Sequence, residues 1–175
     1  FVEPSCGDGR IILELLNSRS HLLNDAIITG YDIDSSAIER SIENIDGFKM
    51  PSNLNIKPVF KCGNFLAVSR QDLALPTGKD YITVALGGPP YTPKDLPEKF
   101  ILHSIQKLHA SIVVFILPTR CQKDASRIQS MLNSNPVSGI WWQFENRELT
   151  NINFDFEGSR VMQPSILQCW YRDPK

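Results

Sequence analysis

The sequence predicts an α/β fold with a doubly wound, mostly parallel sheet and helices on both faces. Short apolar runs, rich in β-branched residues, alternate with segments whose apolar residues recur at helical spacing. A glycine-rich turn joins the first such run to the first helical segment. Two aromatic-rich runs close the chain and predict an antiparallel pair of strands at the sheet edge.

The first half of the chain predicts three strands and two helices. Residues 1–3 are the end of a strand, and the helix after them is indicated by apolar positions from Ile11 to Leu16. The apolar run 26–30 predicts a second strand, and Ser35 or Ser36 can cap the helix that follows it. Its apolar positions are Ile38, Ile42 and Ile45. The polar, proline-containing residues 46–57 predict a loop before a third strand at Val59 to Cys62.

The second half predicts two more buried strands, two helices and the edge pair. A loop with one helical turn is expected over 66–80, and Tyr81 to Leu86 and Ser111 to Leu117 are continuous apolar runs typical of strands covered on both faces. The helices are expected at Glu98 to Leu108 and Asp124 to Leu132. The edge strands are expected at 140–144 and 166–171.

Length and composition limit the functional classes. The 175 residues, 42% of them apolar, suffice for one domain with one sizeable core. Because the sequence begins with only the end of its first strand, we expect it to be a fragment of a longer chain whose N-terminal portion is missing. With 18 basic and 19 acidic residues, no global field favours nucleic acid. No segment predicts a membrane span or signal peptide.

The cysteines and histidines suggest no metal site. The four cysteines, at positions 6, 62, 121 and 169, are scattered singly without zinc-ligand spacing, and we expect reduced, buried thiols in an intracellular protein of the cytoplasm or nucleus. The three histidines, at positions 21, 103 and 109, supply no obvious catalytic base and are expected at the surface or at helix caps.

The turn after the first strand is suited to close contact with a ligand. In Glu3-Pro4-Ser5-Cys6-Gly7-Asp8-Gly9, the glycines let the backbone pass under a ligand without a Cβ in the way. Tight strand-to-helix turns use glycine for structural reasons as well, so this turn alone does not decide the function. Glu3 can attract the ammonium of a bound amino acid, or it can serve the electrostatics of the helix N-terminus.

Polar or aromatic residues also follow the second and third strands. Asp32, about 23 residues after Gly9, can accept hydrogen bonds from both ribose hydroxyls, whereas Asp34 is expected to serve the next helix start. Asn64 can bond an adenine edge while Phe65 packs on the ring, or the two are a turn residue and a core residue. The carboxyl ends of parallel strands share one side of the sheet, so these residues are expected together.

A rigid loop follows the fourth strand. Two prolines in Gly88-Pro89-Pro90-Tyr91 restrict the backbone and leave its carbonyl groups free to accept hydrogen bonds, while Tyr91 can stack on a planar substrate. A double proline after a strand is also a common chain reversal. Lys94, Lys99, Arg120 and Lys123 are basic residues expected near this loop.

Taken together, the four segments resemble class I S-adenosylmethionine (SAM) dependent methyltransferases of Rossmann-like fold, in particular N6-adenine methyltransferases. The resemblance covers residues 1 to 120 and rests on 1–9, on 30–34, on 63–66 and on Gly88-Pro89-Pro90-Tyr91, where the family carries Asn or Asp before Pro-Pro-Tyr. It implies that SAM is the cofactor and that a base of DNA or RNA, flipped or single-stranded, is the acceptor.

The resemblance assigns roles residue by residue. The SAM loop comprises Glu3, Pro4, Ser5 and Gly7, with Glu3 near the methionine part. Asp32 would hold the ribose, Ile33 and Phe65 would sandwich the adenine, and Asn64, where the family has Asp, would meet its amino edge. In the family, the side chain before Pro-Pro and the first proline carbonyl accept hydrogen bonds from the target amine. The aromatic residue of the loop stacks on the extruded base.

Gly88 departs from the family pattern because it has no side-chain acceptor. Loss of one such preorganised group typically costs about 10²–10³ in rate. Three functions therefore remain open: a nucleic-acid amino methyltransferase, a SAM-binding module without catalysis that acts as a protein partner subunit, and a methyltransferase for a protein or small molecule. Aromatic residues near the C-terminus, such as Trp141, Trp142 and Trp170, could supply the partner surface or belong to the core.

Overall fold

The computed structural model describes most of the chain. The described residues are 1–19, 23, 25–50, 56–73, 75–77, 80–134, 139–150, 153–156 and 159–173, with the backbone alone at 19, 153–156 and 159–161. His21 lies outside these ranges.

Strands and helices alternate up to residue 133, after which only strands follow. The strands are β1 Val2–Glu3, β2 Thr29–Asp32, β3 Val59–Cys62, β4 Val84–Gly87, β5 Ile112–Pro118, β6 Trp141–Leu149, β7 Asn153–Phe156, β8 Ser159–Met162 and β9 Ser165–Arg172. The helices are α1 Arg10–Arg19, α2 Ser35–Asp46, α3 Leu96–Gln106 and α4 Arg120–Asn133. Two short 3₁₀ turns cover Phe65–Ala67 and Arg70–Leu73.

Seven strands form one mixed sheet in the order β3-β2-β1-β4-β5-β9-β6. The five strands from β3 to β5 are parallel, β9 is antiparallel to β5, and β6 is antiparallel to β9. The chain moves outward from β1 through β2 to β3 and then returns to β4 beside β1, so the strand order reverses between β1 and β4. With right-handed crossovers this reversal puts α1 and α2 on one face and α3 and α4 on the other. The predicted doubly wound fold is confirmed.

Two apolar clusters hold the helices to the sheet. The larger one packs α3 and α4 against β4, β5, β6 and β9, and Phe115, Trp141 and Trp170 are fully buried in it. The smaller one packs α1 against α2 and against Ile28, which directly precedes β2, and includes Ile12 and Leu16. Burial of a large apolar side chain contributes about 1.5–3 kcal/mol, so these residues dominate the stability of the sheet and helix layers.

The edge pair and its flanks differ from expectation in detail. The two final strands are antiparallel as predicted, but β9 lies between β5 and β6, so of these two strands β6 alone is at the sheet edge. The hairpin of β7 and β8 over 153–162 was not predicted. The helix α4 begins four residues before the predicted Asp124, because Thr119 alone separates it from Pro118, the last residue of β5.

Other boundaries and two side-chain predictions also needed correction. β2 begins at Thr29 and β4 at Val84, three residues later than expected in each case, because the preceding residues do not pair in the sheet. Cys62 is exposed at the end of edge strand β3, whereas the other three cysteines are buried as predicted. His103 lies in the last turn of α3 and is half-buried: its Nε2 lies 2.8 Å from the Val68 carbonyl oxygen, and burial lowers the pKa of the imidazole.

Candidate active site

A cleft of about 380 Å³ opens at the reversal between β1 and β4. This is where open α/β sheets bind ligands, and the volume lies in the usual range for small-molecule sites. Residues from all four predicted segments line it, and the full lining is Pro4, Ser5, Asp32, Ile33, Asn64, Phe65, Leu66, Gly88, Pro90, Leu96 and Phe100. A second cavity of about 80 Å³, beside Phe1 and Tyr81, is too small for a nucleotide.

The glycine turn is fixed by its own backbone and by the next strand. Cys6 N–H donates to the Tyr31 carbonyl at 2.8 Å, and Gly9 N–H donates to the Cys6 carbonyl at 2.8 Å. Gly7 has φ of +53°, a conformation that favours glycine, and a Cβ built there would meet no atom within 4 Å. The backbone of the turn is therefore rigid while the space above Gly7 is open.

Asp32 and Asp34 have separate tasks. The Asp32 carboxylate accepts from Gly7 N–H at 2.9 Å and from Asp34 N–H at 3.0 Å, so it joins the turn after β1 to the turn after β2. Asp34 is the N-cap of α2 and accepts from Ser36 N–H at 2.9 Å. The cap is thus Asp34 and neither Ser35 nor Ser36, because the helix already includes both serines. Each Asp32 oxygen retains one further lone-pair direction for a ligand hydroxyl.

Glu3 lies beneath the turn and is not part of the cleft lining. Its side chain is 2% exposed, and Oε2 has no hydrogen-bond partner among the described residues. Burial, with smaller contributions from the charges of Asp32 and Asp8, raises the pKa of Glu3 well above its ordinary value. A buried carboxyl with an unsatisfied oxygen is costly, and a cation placed nearby would relieve that cost.

The segments after β2 and β3 bring one exposed and one buried apolar side chain to the cleft. Ile33 is 77% exposed at the cleft, whereas Phe65 is 1% exposed and packs against the rings of Tyr31, Phe100 and His103. Asn64 Oδ1 accepts from Leu66 N–H at 3.0 Å and so caps the first 3₁₀ turn. Asn64 and Phe65 both line the cleft, although Asn64 also caps the turn and Phe65 also belongs to the core.

Gly87 ends β4 and Gly88 follows it, and the backbone constrains these two glycines differently. Gly87 has φ of +144°, and a Cβ there would lie 3.2 Å from Glu3 Cγ. Gly88 has no such φ, and the nearest atom to its Cβ position would be the Ile116 carbonyl oxygen at 4.0 Å. The fold therefore requires glycine at 87 but has room for a side chain at 88.

The Pro-Pro-Tyr loop is attached to the rest of the site by side chains distant in sequence. Ser5 Oγ donates to the Gly88 carbonyl at 2.9 Å, which links the glycine turn after β1 to the loop. The Tyr91 hydroxyl lies 2.9 Å from Ser165 Oγ, and Arg120 Nη2 donates to the Tyr91 carbonyl. Pro89 is buried and Pro90 exposed. Pro89 and Tyr91, like Gly7 and Glu3, are absent from the cleft lining.

The sequence did not reveal two of these contacts. Ser165 begins β9, and nothing in a lone serine before an apolar run signals contact with a tyrosine 74 positions away. Arg120 was expected near the loop as a general basic residue, and its hydrogen bonds to loop carbonyls have no sequence signature. In the described residues, no cluster of metal-ligating side chains is present, and no helix is long and apolar enough to cross a membrane.

Solved structures share this architecture, although no protein-family model and no curated protein matches the sequence. A Pyrococcus horikoshii protein provisionally described as an RNA methyltransferase is 14% identical with a TM-score of 0.66, over 98% of this chain and 73% of its own. The 23S rRNA methyltransferase ErmE is 13% identical with a TM-score of 0.57, over 98% of this chain and 60% of its own.

A third neighbour comes from Listeria monocytogenes and is provisionally described as a class I SAM-dependent methyltransferase. It is 16% identical with a TM-score of 0.59, and the match covers 98% of this chain and 53% of that one. The chain thus spans between about half and three quarters of the length of these three neighbours. At such low identity the likeness concerns architecture, and the chain has the fold of class I SAM-dependent methyltransferases.

Proposed function

We propose that this domain binds SAM in the cleft and transfers a methyl group to an exocyclic amine of a DNA or RNA base. One observation carries the proposal: the segments after β1, β2, β3 and β4, which resemble the family's motifs, converge on a single cleft at the reversal of strand order. Two neighbours described as RNA methyltransferases support a nucleic-acid acceptor.

The cleft residues fit the parts of SAM. The exposed side chain of Ile33 offers an apolar face for adenine, opposite the wall that contains Phe65. Asp32 offers acceptor capacity for ribose hydroxyls, and the unpartnered Oε2 of Glu3 offers a hydrogen-bond acceptor for the ammonium group. Bound SAM supplies an electrophilic methyl group on a sulfonium.

The acceptor would approach from the side of the Pro-Pro-Tyr loop. Neither proline has a backbone N–H, so this stretch presents acceptors, which suit an amine. A hydrogen bond from the amine to the Pro89 carbonyl would orient the nitrogen lone pair, and the Tyr91 ring would contact the base. Catalysis of this kind depends on positioning and electrostatics and needs no side-chain base.

A second candidate function is a SAM-binding partner subunit without catalysis. Gly88 supplies no side-chain acceptor, and its carbonyl already accepts from Ser5. Three exposed aromatic side chains, Trp142, Phe144 and Tyr171, lie on neighbouring strands β6 and β9 and could contact a protein partner.

Cofactor binding and catalysis are tested in sequence. The melting temperature should rise with SAM or S-adenosylhomocysteine, by an amount that corresponds to about 2.7 kcal/mol at 100 times the dissociation constant. Labelled methyl transfer to single-stranded DNA and RNA is then measured for the unmodified protein and for Tyr91→Ala. No stabilisation by either ligand would refute the proposal, and stabilisation without transfer to any acceptor would favour the partner subunit.

A further inference from the structure

The segment from Gly88 to Asp95, called here the acceptor loop, has few internal means of keeping its shape. Three of its eight residues are prolines, which donate no backbone hydrogen bond. The loop lies between β4 and α3, and Pro90, Lys94 and Asp95 are exposed. Its conformation near the cleft must therefore depend on side chains from other elements.

Arg120 is the side chain that holds the middle of this loop. Nη2 donates to the carbonyl of Tyr91 and, at 3.1 Å, to the carbonyl of Lys94. These bonds span 29 and 26 positions of sequence, and they close the acceptor loop against the start of α4. Hydrogen bonds from a charged donor are roughly twice as strong as hydrogen bonds between neutral groups.

The position of Arg120 in its own helix supports a tertiary role. Arg120 is the first residue of α4, where the helix dipole disfavours a cation. Among the described residues, no carboxylate lies within ion-pair distance of Arg120, whereas Arg10, Lys99 and Arg127 each have one. Two carbonyl groups of the acceptor loop are thus the described partners of a half-buried guanidinium.

Arg120 and Ser165 together hold Tyr91 at both ends. Arg120 binds the backbone carbonyl, and Ser165 Oγ lies 2.9 Å from the hydroxyl. Burial raises the pKa of Tyr91, so the hydroxyl stays protonated and keeps its hydrogen bond at neutral pH. These two contacts fix both the backbone and the hydroxyl end of Tyr91, so the orientation of its ring depends on them.

We propose that Arg120 is a positioning residue that fixes the acceptor loop and the Tyr91 ring for methyl transfer. The catalytic part of this role rests on the proposed function. The ordering of the loop by Arg120 is a property of the free protein and needs neither cofactor nor substrate. Its competitor is direct contact of Arg120 with a nucleic-acid phosphate, a role that exposed Lys94 and Lys123 fit better.

Hydrogen exchange tests the structural part without any ligand. The variants are Arg120→Gln and Arg120→Lys, with Arg40→Gln on α2 as the matched control, since Arg40 is exposed and bonds only Ser36 Oγ in the described structure. The amides of Leu96 and Lys99 donate to the Pro93 and Asp95 carbonyls of the loop, and they should exchange about 10–100-fold faster in Arg120→Gln. Arg120→Lys should restore little of this protection, because an ammonium lacks the planar fork. Unchanged exchange in both Arg120 variants would overturn the proposal.

Kinetics test the catalytic part and identify the competitor. Arg120→Gln should lower kcat about tenfold or more, while the dissociation constant of SAM and the salt dependence of KM stay at the unmodified values. A raised KM with a weaker salt dependence, at unchanged kcat and loop exchange, would instead assign Arg120 to a phosphate contact. Absence of SAM binding by the unmodified protein would defeat the proposed function but leave the exchange result readable. If Arg120→Gln fails to fold, Arg120→Lys with Ser165→Ala gives the same comparison at both ends of Tyr91.

Discussion

The two sides of the cleft are built by different kinds of contact. On the cofactor side, after β1, β2 and β3, backbone groups and nearby side chains hold the turns: Asp34 caps its own helix and Asn64 caps its own 3₁₀ turn, each across two residues. On the acceptor side, after β4, the loop depends on contacts from Ser5 and Ser165, 83 and 74 positions from their partners. Local caps therefore contribute to the first side together with the hydrogen bond from Gly7 to Asp32 across 25 positions, whereas the second side depends on side chains from distant elements.

The largest effect should come from restoring an acceptor at position 88. Gly88→Asn should raise methyl transfer about 10²–10³-fold, because a preorganised hydrogen-bonding group contributes about that much. Stability should not change, since the nearest atom to a new Cβ is 4.0 Å away. The measurement is the single-turnover rate, with Gly88→Ala as the control that adds a Cβ without an acceptor. Equal rates for the two variants would show that the amine needs no side chain at this position.

On the cofactor side, Asp32 and Asp34 form a matched pair. Asp32→Asn should weaken SAM binding about 10–100-fold, because it removes the charge from hydrogen bonds to the ribose. Asp34→Asn should leave affinity and stability nearly unchanged, since Asn is also a good N-cap. Calorimetric titration with SAM distinguishes them. A larger loss of affinity in Asp34→Asn would contradict the assignment of the ribose contact to Asp32.

Gly87 and Gly88 differ in whether the backbone requires glycine: position 87 requires it and position 88 does not. Gly87→Ala should destabilise the fold by about 1–3 kcal/mol, because φ of +144° is strained for alanine and the Cβ would press on Glu3 Cγ at 3.2 Å. Gly88→Ala should fall within about 0.5 kcal/mol of the unmodified protein. Urea unfolding measures both, and equal stabilities would contradict the difference in backbone constraint.

The smallest effect concerns Glu3 and pH. The folded state retains the Glu3 proton above 4.5, the ordinary pKa of the group, whereas the unfolded state loses it there. The free energy of unfolding should therefore fall as pH rises from about 4.5 toward the raised pKa of the folded state. Glu3→Gln should remove this part of the slope above pH 4.5, and Glu14→Gln on the exposed face of α1 should not. An identical slope in Glu3→Gln and the unmodified protein would argue against the buried, protonated carboxyl.

The fold was predictable where periodicity and turn chemistry agree. The alternation of strands and helices through residue 133 and the antiparallel final strands were confirmed, because burial on one face or two imposes a pattern on the sequence. The β7–β8 hairpin and the insertion of β9 between β5 and β6 were missed, since strand order depends on packing partners that no local pattern records. The prediction that Asp34 serves the start of α2 was confirmed, because an N-cap contact joins residues only two positions apart and depends on local sequence.

The sequence by itself determined which segments stand at the carboxyl ends of the strands, because strand, glycine turn, acid and proline pair are all local signals. Only the tertiary structure decided that Glu3 is buried below the cleft, that the fold leaves room for a side chain at Gly88, and that Arg120 and Ser165 hold Tyr91. Burial and hydrogen bonding between residues tens of positions apart arise only when the sheet brings their elements together.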